Sequence, residues 1–276
     1  MIETTNEILF FDTETTGILK DSKWKVESNW DMIQLAYRIL GNWKKTDKNM
    51  FFNTDTNIEI GSIAVHGIYK ELLIKKTGWK YLEDNIRTEL QETFSDKIMV
   101  AHNMDFDKDV LEKSWIDYSN KLIDTLKVAK TMLSEWVLYN SDRLEPEYVN
   151  LQYLRYFFEL YEIKNSDWEL ECTTAHDAFW DVVVLENVFY SLFNIIKNKL
   201  SIDDNETLNV MQEMTNKEYI LIKTMMIGKY RWKTFEEVAD IDGWYLEWIT
   251  KADFTDDIKY TCNYWLWKID DKKFFS

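Results

Sequence analysis

Cysteine is nearly missing from this chain. Its 276 residues hold Cys172 and Cys262 and no others. The two stand far apart and form no CxxC pair, so neither a disulfide scaffold nor a structural zinc is supported. A reducing interior such as the cytoplasm is the expected, cytoplasmic, setting. Proline occurs once, at Pro146, and glycine seven times, with no low-complexity segment and no internal repeat. No run of about 18 apolar residues exists, so no spanning helix and no membrane association is expected. The first 30 residues show no basic start followed by an apolar block, so no secretory signal is expected either. Positive charge is also in deficit: 33 basic against 49 acidic residues leave a net charge of −16. That argues against a general nucleic-acid coat, which needs basic surface. It leaves open a local grip on phosphate through metal ions. Histidine is limited to His66, His102 and His176, which makes their placement informative.

What is present is a core. Apolar residues make up 46% of the chain and aromatic residues 16%, unlike a disordered segment. The length suits one sizeable domain with a small appendage. The apolar run Glu7–Asp12 (EILFFD) reads as a buried strand, with Gly17 permitting a turn and residues 20–29 a polar loop. Further strands are predicted over 31–40, 48–53, 97–101 and 121–124. Helices are predicted over 79–94, where apolar residues recur every three or four positions, and over 104–118, 125–139 and 150–161. A long helix is predicted over 174–197, with Thr174 and Asp177 resembling a capping box. Strands followed by helices imply an α/β class, a mixed sheet with helices packed on it. The polar, acidic stretch 198–212 reads as a linker between a domain over 1–197 and a small, mostly helical one over 213–276. In the latter, Ile258, Thr261, Cys262, Trp265, Leu266 and Ile269 share a helical face.

Three constellations carry chemistry. Asp12 and Glu14 end the first strand on the same face, where two carboxylates repel unless protonated or bridged by a cation. Hard oxygen donors of this kind suit magnesium or manganese. Asp107 falls in the opening of a helix after His102, where a carboxylate suits the positive helix end. His176 and Asp181 stand five residues apart and reach one site only if His176 sits at or before the first helical turn. Alone, the Asp12–Glu14 pair reads chiefly as solvated acids at a strand end, Asp107 equally well as an ordinary acidic helix start, and His176 with Asp181 as a capping-region histidine and an exposed acid.

Together and in order, FDTETTG, AHNMDFDKDVL and AHDAFWD resemble the three motifs of the DEDDh 3′-to-5′ exonucleases, a family that includes polymerase proofreading subunits, ribonuclease T and the Trex-type enzymes. Weaker echoes lie between them: Val65-His66-Gly67-Ile68, Asp124-Thr125-Leu126 and Asn150-Leu151-Gln152-Tyr153-Leu154. The resemblance spans about residues 6–195 and implies a ribonuclease H-like fold. It implies Asp12, Glu14, Asp107 and Asp181 as metal-binding acids for two Mg2+ or Mn2+ ions, and His176 as general base. It further implies that Thr15, Ile18, His66 and Phe106 line the pocket for the terminal nucleotide, with core packing the alternative for Ile18 and Phe106. His102 reads as structural. The implied reaction is two-metal hydrolysis at the 3′ end of single-stranded or frayed DNA, releasing 5′-mononucleotides. RNA remains possible because the motifs do not inspect the 2′-hydroxyl. A non-catalytic nucleic-acid-binding or polymerase-docking protein is the rival from another class.

Past the linker, Lys217, Lys223, Lys229, Arg231 and Lys233 stand against Glu218, with Tyr219, Tyr230 and Trp232 interleaved. Basic groups with rings suit single-stranded nucleic acid, and a packed basic turn explains them as well. The stretch from Ile227-Gly228-Lys229-Tyr230 to Trp248 resembles the module that follows exonuclease X-type domains, except that Trp232 stands where glycine is expected.

Overall fold

The computed structural model describes residues 2, 6–17, 30–41, 44–78, 80–136, 138, 144–161 and 177–274. Ile18, the 20–29 loop, Cys172, Thr174 and His176 lie outside them. The chain divides into two compact units: Met1–Leu126 with Tyr148–Thr215, and Lys127–Glu147 with Asn216–Ser276.

The first unit is built on one five-stranded sheet, β1 (Ile8–Thr15), β2 (Met32–Gly41), β3 (Lys44–Phe51), β4 (Ile98–Ala101) and β5 (Leu122–Asp124), in the order β3-β2-β1-β4-β5. β2 runs antiparallel to both β1 and β3, whereas β4 and β5 run parallel to the central β1. This is the expected ribonuclease H-like mixed sheet. β1 is covered on both faces, so Ile8 to Phe11 are all buried and read as an unbroken apolar run. β3 is the edge strand and carries Lys44, Lys45, Asp47 and Lys48, a composition that discourages further pairing. Those exposed polar residues explain why the strand starts four residues before its predicted position, at 44 instead of 48.

Helices α1 (Ile60–His66), α2 (Lys70–Thr77) and α3 (Asp84–Phe94) follow. The first two are absent from the sequence expectation because α1 buries only Ser62 and α2 only Leu73 and Thr77, too few for a period. Then come α4 (Met104–Lys113), α5 (Thr125–Thr131), one wide turn at Met132–Trp136, and α6 (Leu151–Phe157). The long α7 (Ala178–Leu200) packs on β1 and β2, burying Val182, Leu185, Val188, Phe189 and Leu192. α7 is long and apolar enough to cross a membrane by length and composition, a property missed by counting uninterrupted apolar runs; more than half of its most apolar stretch is buried in the fold. It is capped by Asp177, whose Oδ1 accepts the Phe179 N–H at 3.1 Å.

The linker expectation for 198–212 is corrected. Residues Asp204–Thr215 form α8, which packs on β5 and α7 and buries Thr207, Leu208, Met211, Met214 and Thr215. Asp203 and Glu206 cap its start reciprocally, Glu206 N–H to Asp203 Oδ1 at 2.9 Å and Asp203 N–H to Glu206 Oε2 at 3.3 Å. The acidic residues that looked like a tether are the solvated face and the cap of a helix.

The second unit contains α9 (Phe235–Lys251) and α10 (Asp256–Phe274), packed on each other around Met225, Phe235, Val238, Leu246, Ile249 and Cys262. Its mostly helical character is as expected. Its extent is not, because Lys127–Glu147 belongs to it as well. Within the unit, Lys130 pairs with Asp257 at 3.3 Å and Lys223 with Glu145 at 2.8 Å. Gly228 is required by its turn: φ is +71°, and an added Cβ would lie 2.0 Å from the Tyr245 hydroxyl. Asp242 breaks the helical backbone of α9 and restarts it, accepting from Lys229 Nζ, the Tyr230 hydroxyl and the Tyr245 N–H.

Candidate active site

Asp12 and Glu14 leave the same face of β1, opposite Ala36 and Gln34 of β2. The small Ala36 leaves space beside Asp12. α7 lies over this face and brings Asp181 from its first turn. Among the described residues, the donor oxygens of Asp12, Glu14 and Asp181 all lie within 4.8 Å of one another. Asp181 is buried, and Gln152 Nε2 on α6 donates to its Oδ1 at 2.7 Å.

Asp107 is delivered by α4. The helix starts at Asn103, which takes the left-handed conformation at φ 74°, tolerable for asparagine. Asp124, buried at the end of β5, receives the N–H groups of Asn103 (3.0 Å), Met104 (3.2 Å) and Leu126 (2.9 Å). One carboxylate therefore sets the entry of α4. The neighbouring Thr125 donates to the Ala101 carbonyl at 3.2 Å and accepts from His102 Nδ1 at 2.9 Å, so His102 is tied into the turn. Asp107 itself is buried and accepts from the Thr13 hydroxyl at 2.7 Å. It stands close enough to raise the carboxyls of Asp12 and Glu14, though outside the tightest trio.

The electrostatics follow from burial and like charge. Burial first, then the charges of Asp107, Glu14, Asp181 and Asp177, push Asp12 well above the carboxylate range. Glu14 rises to about 9, through burial and then Asp181, Asp107 and Asp177. Asp107 rises to about 7 through burial, despite the opposing Thr13 hydrogen bond. By itself the site holds protons where it would otherwise hold stacked negative charge. A divalent cation relieves both costs, and an all-carboxylate donor set is the hard-oxygen chemistry that magnesium and manganese take. The residues fit a divalent metal.

The other expected positions take more local parts. Thr15 is buried and its hydroxyl donates to the Gly17 carbonyl at 2.6 Å. His66 accepts the Ile68 N–H on Nδ1 at 2.9 Å, which leaves Nε2–H to donate to the Thr15 carbonyl at 3.1 Å. Thr15 and His66 thus fix the turn that ends β1. Phe106, in the first turn of α4, is partly buried against the core. Ile18 and His176 lie outside the described residues, but His176 immediately precedes the Asp177 cap. The sequence reading missed Gln152 as a partner of Asp181 and Thr13 as a partner of Asp107. For Gln152, the signal was the Asn150–Leu154 echo already noted.

The three motifs in order, the mixed sheet and the four acids drawn from β1, α4 and α7 resemble the arrangement of the DEDDh exonucleases. The chain matches no protein-family profile. It is 26% identical over 199 residues to the DNA polymerase III PolC-type of Mycoplasmopsis pulmonis (strain UAB CTIP), covering 70% of this chain and 12% of that one. It is 27% identical over 135 residues to DNA polymerase III subunit epsilon of Buchnera aphidicola subsp. Acyrthosiphon pisum (strain APS), covering 45% of this chain and 54% of that one. The chain therefore spans about half the length of one relative and a small fraction of the other. A solved exonuclease X in complex with 5′ overhanging duplex DNA aligns with TM-score 0.48 at 17% identity, over 74% of this chain and 99% of that one.

Proposed function

We propose that the chain is a metal-dependent 3′-to-5′ exonuclease acting on single-stranded or frayed DNA ends and releasing 5′-mononucleotides. The observation that carries this reading is the convergence of Asp12, Glu14 and Asp181, with Asp107 beside them, at raised proton affinity. The names of the two curated relatives, both DNA polymerase III proteins, support DNA as the substrate.

In this reading the four acids hold two Mg2+ or Mn2+ ions. Such ions supply Lewis-acid stabilisation of the attacking and leaving oxygens in an in-line phosphoryl displacement. The chain's own residues do the rest. His176 takes the proton of the attacking water; an imidazole with its ordinary pKa of about 6.5 is suited to that at neutral pH. The new P–O bond forms as the P–O3′ bond breaks, and the departing 3′-oxygen collects a proton. Gln152 and Thr13 aim Asp181 and Asp107. Thr15 and His66 hold the turn that leads to Ile18, and Ile18 and Phe106 provide apolar surface for the terminal nucleotide.

The test is incubation of 3′-labelled DNA and RNA oligonucleotides with magnesium, manganese or chelator. Release of 5′-mononucleotides from DNA with either metal, and none with chelator, is expected. Intact DNA in every arm overturns the activity, and cleavage confined to RNA overturns the substrate.

A further inference from the structure

We infer that Trp232, in the second unit, is a base-stacking platform for single-stranded nucleic acid, an inference that rests on the exonuclease reading above. The residue is conspicuous on two independent grounds. Its φ is +76°, in the left-handed region that a bulky residue avoids and glycine adopts freely. The residue is 54% exposed, so the core does not explain its presence. A strained backbone kept under a large exposed ring points to a use for the ring.

The turn around it is rigid. Trp232 N–H donates to the Met225 carbonyl at 2.7 Å, Met225 N–H to the Lys233 carbonyl at 2.8 Å, and Lys233 N–H to the Tyr230 carbonyl at 3.0 Å. A bridge between Thr224 and Thr234 closes the base, and Thr234 starts α9 with a capping box. The ring is thus presented from a fixed support, with little conformational freedom left to lose on binding.

Its neighbours have the chemistry of a nucleic-acid strand's counterpart. The Arg231 guanidinium lies 4.6 Å from the Trp232 ring centre. Lys229 and Lys233 flank the pair, so cations at 229, 231 and 233 alternate with rings at 230 and 232. Lys229 also pairs with Asp242 at 2.8 Å and Arg231 with Glu147 at 3.7 Å, with the two cationic side chains about half exposed, 57% and 46%. Exposed pairs of this kind are weak and exchange readily for phosphate. Rings accept any base because every base has a π-face, and cations track the backbone. The occupant that this combination fits is a single strand, contacted without sequence preference.

The experiment is fluorescence anisotropy of a labelled 20-nucleotide oligothymidine at several salt concentrations, with calcium replacing magnesium to block cleavage, on the full chain. Trp232→Gly removes the ring and relieves the backbone, so its urea midpoint should not fall below that of the parent. Its affinity should fall about 5- to 150-fold, the range for losing one stacked base, with an unchanged salt slope. Trp232→Phe keeps a ring and should retain most of the affinity. Arg231→Met should instead flatten the salt slope by about one contact. Unchanged binding by Trp232→Gly overturns the inference, as does Trp232→Phe binding no better than Trp232→Gly. Cleavage of a very short oligonucleotide separates this failure from failure of the proposed function. A parent that cuts the short substrate while Trp232→Gly binds the 20-mer normally loses only the stacking platform. A parent that neither cuts nor binds loses both.

Discussion

Arg38 offers the sharpest test of how the sheet and α7 are held together. Its side chain is 1% exposed in β2, yet it carries a full charge among apolar neighbours. Nε and Nη2 reach both oxygens of Asp47 at 2.7 and 2.8 Å, and Nη1 reaches Glu186 of α7 at 2.7 Å. Removing one partner of a buried ion pair leaves the other charge stranded, at a cost of about 3–5 kcal/mol. The two carboxylates differ in how they would respond to Arg38→Met. Asp47 is one-third exposed and can regain water, whereas Glu186 is 14% exposed and keeps only Lys45, at 3.6 Å. The stranded charge is therefore essentially one, and the expected loss is about 3 kcal/mol, the low end of that range. Adding Glu186→Leu removes the stranded charge and should recover all but about 1 kcal/mol, since apolar replacements of buried pairs are often neutral. The assay is urea unfolding of parent, single and double variants, with the slope checked for constancy. A single variant as stable as the parent, or a double variant less stable than the single, would refute the reasoning.

Other outcomes are expected at the site. Asp12→Ala should abolish cleavage while leaving the metal-free protein at least as stable as the parent, because a carboxyl group that burial and its acidic neighbours disfavour has gone; near-normal cleavage at saturating magnesium would rule the site out. His176→Ala should lower turnover by about 10²–10⁴ with metal affinity little changed, and calorimetry with manganese beside single-turnover rates checks both halves. Gln152→Leu should weaken manganese binding about 10- to 100-fold, the usual effect of losing an outer partner of a metal ligand, and unaltered titration curves would contradict it. Met211→Ala should cost about 2–5 kcal/mol as a buried truncation, and a chain ended before α8 should lose more; both are read by urea midpoint, and no loss would return 204–215 to the role of a tether.

The sequence singled out the four acids more readily than it did several elements of the fold. Asp12, Glu14, Asp107 and Asp181 each stand inside a short motif whose order alone was informative, and the structure gathers them. β1 was legible because burial on both faces leaves nothing polar to interrupt it. β3 was half legible because an edge strand shows its charges to water. α8 was read as a tether although its signals were present: the Asp203–Glu206 cap, then Thr207, Leu208, Met211, Met214 and Thr215 at helical spacing. Acidic composition outweighed that period. What no local reading could supply were partners distant in the chain. Arg38 with Glu186, Thr13 with Asp107, Gln152 with Asp181 and Asp124 with the α4 entry depend on which strands the topology makes neighbours.

The second unit is written into the chain in two instalments, 127–147 and 216–276, with a large part of the first unit between them. A ribosome releases the first instalment before the second, so Lys130 and Glu145 wait for Asp257 and Lys223 until the second has been made. The first unit, complete at residue 215, can close around its sheet while the other half-built body is still without its core. A single cut after residue 215 leaves the first unit whole, still carrying 127–147, but no single cut frees the second. A protease or an engineer who wants the two fully parted must sever the chain at three places, 126/127, 147/148 and 215/216, and rejoin the pieces.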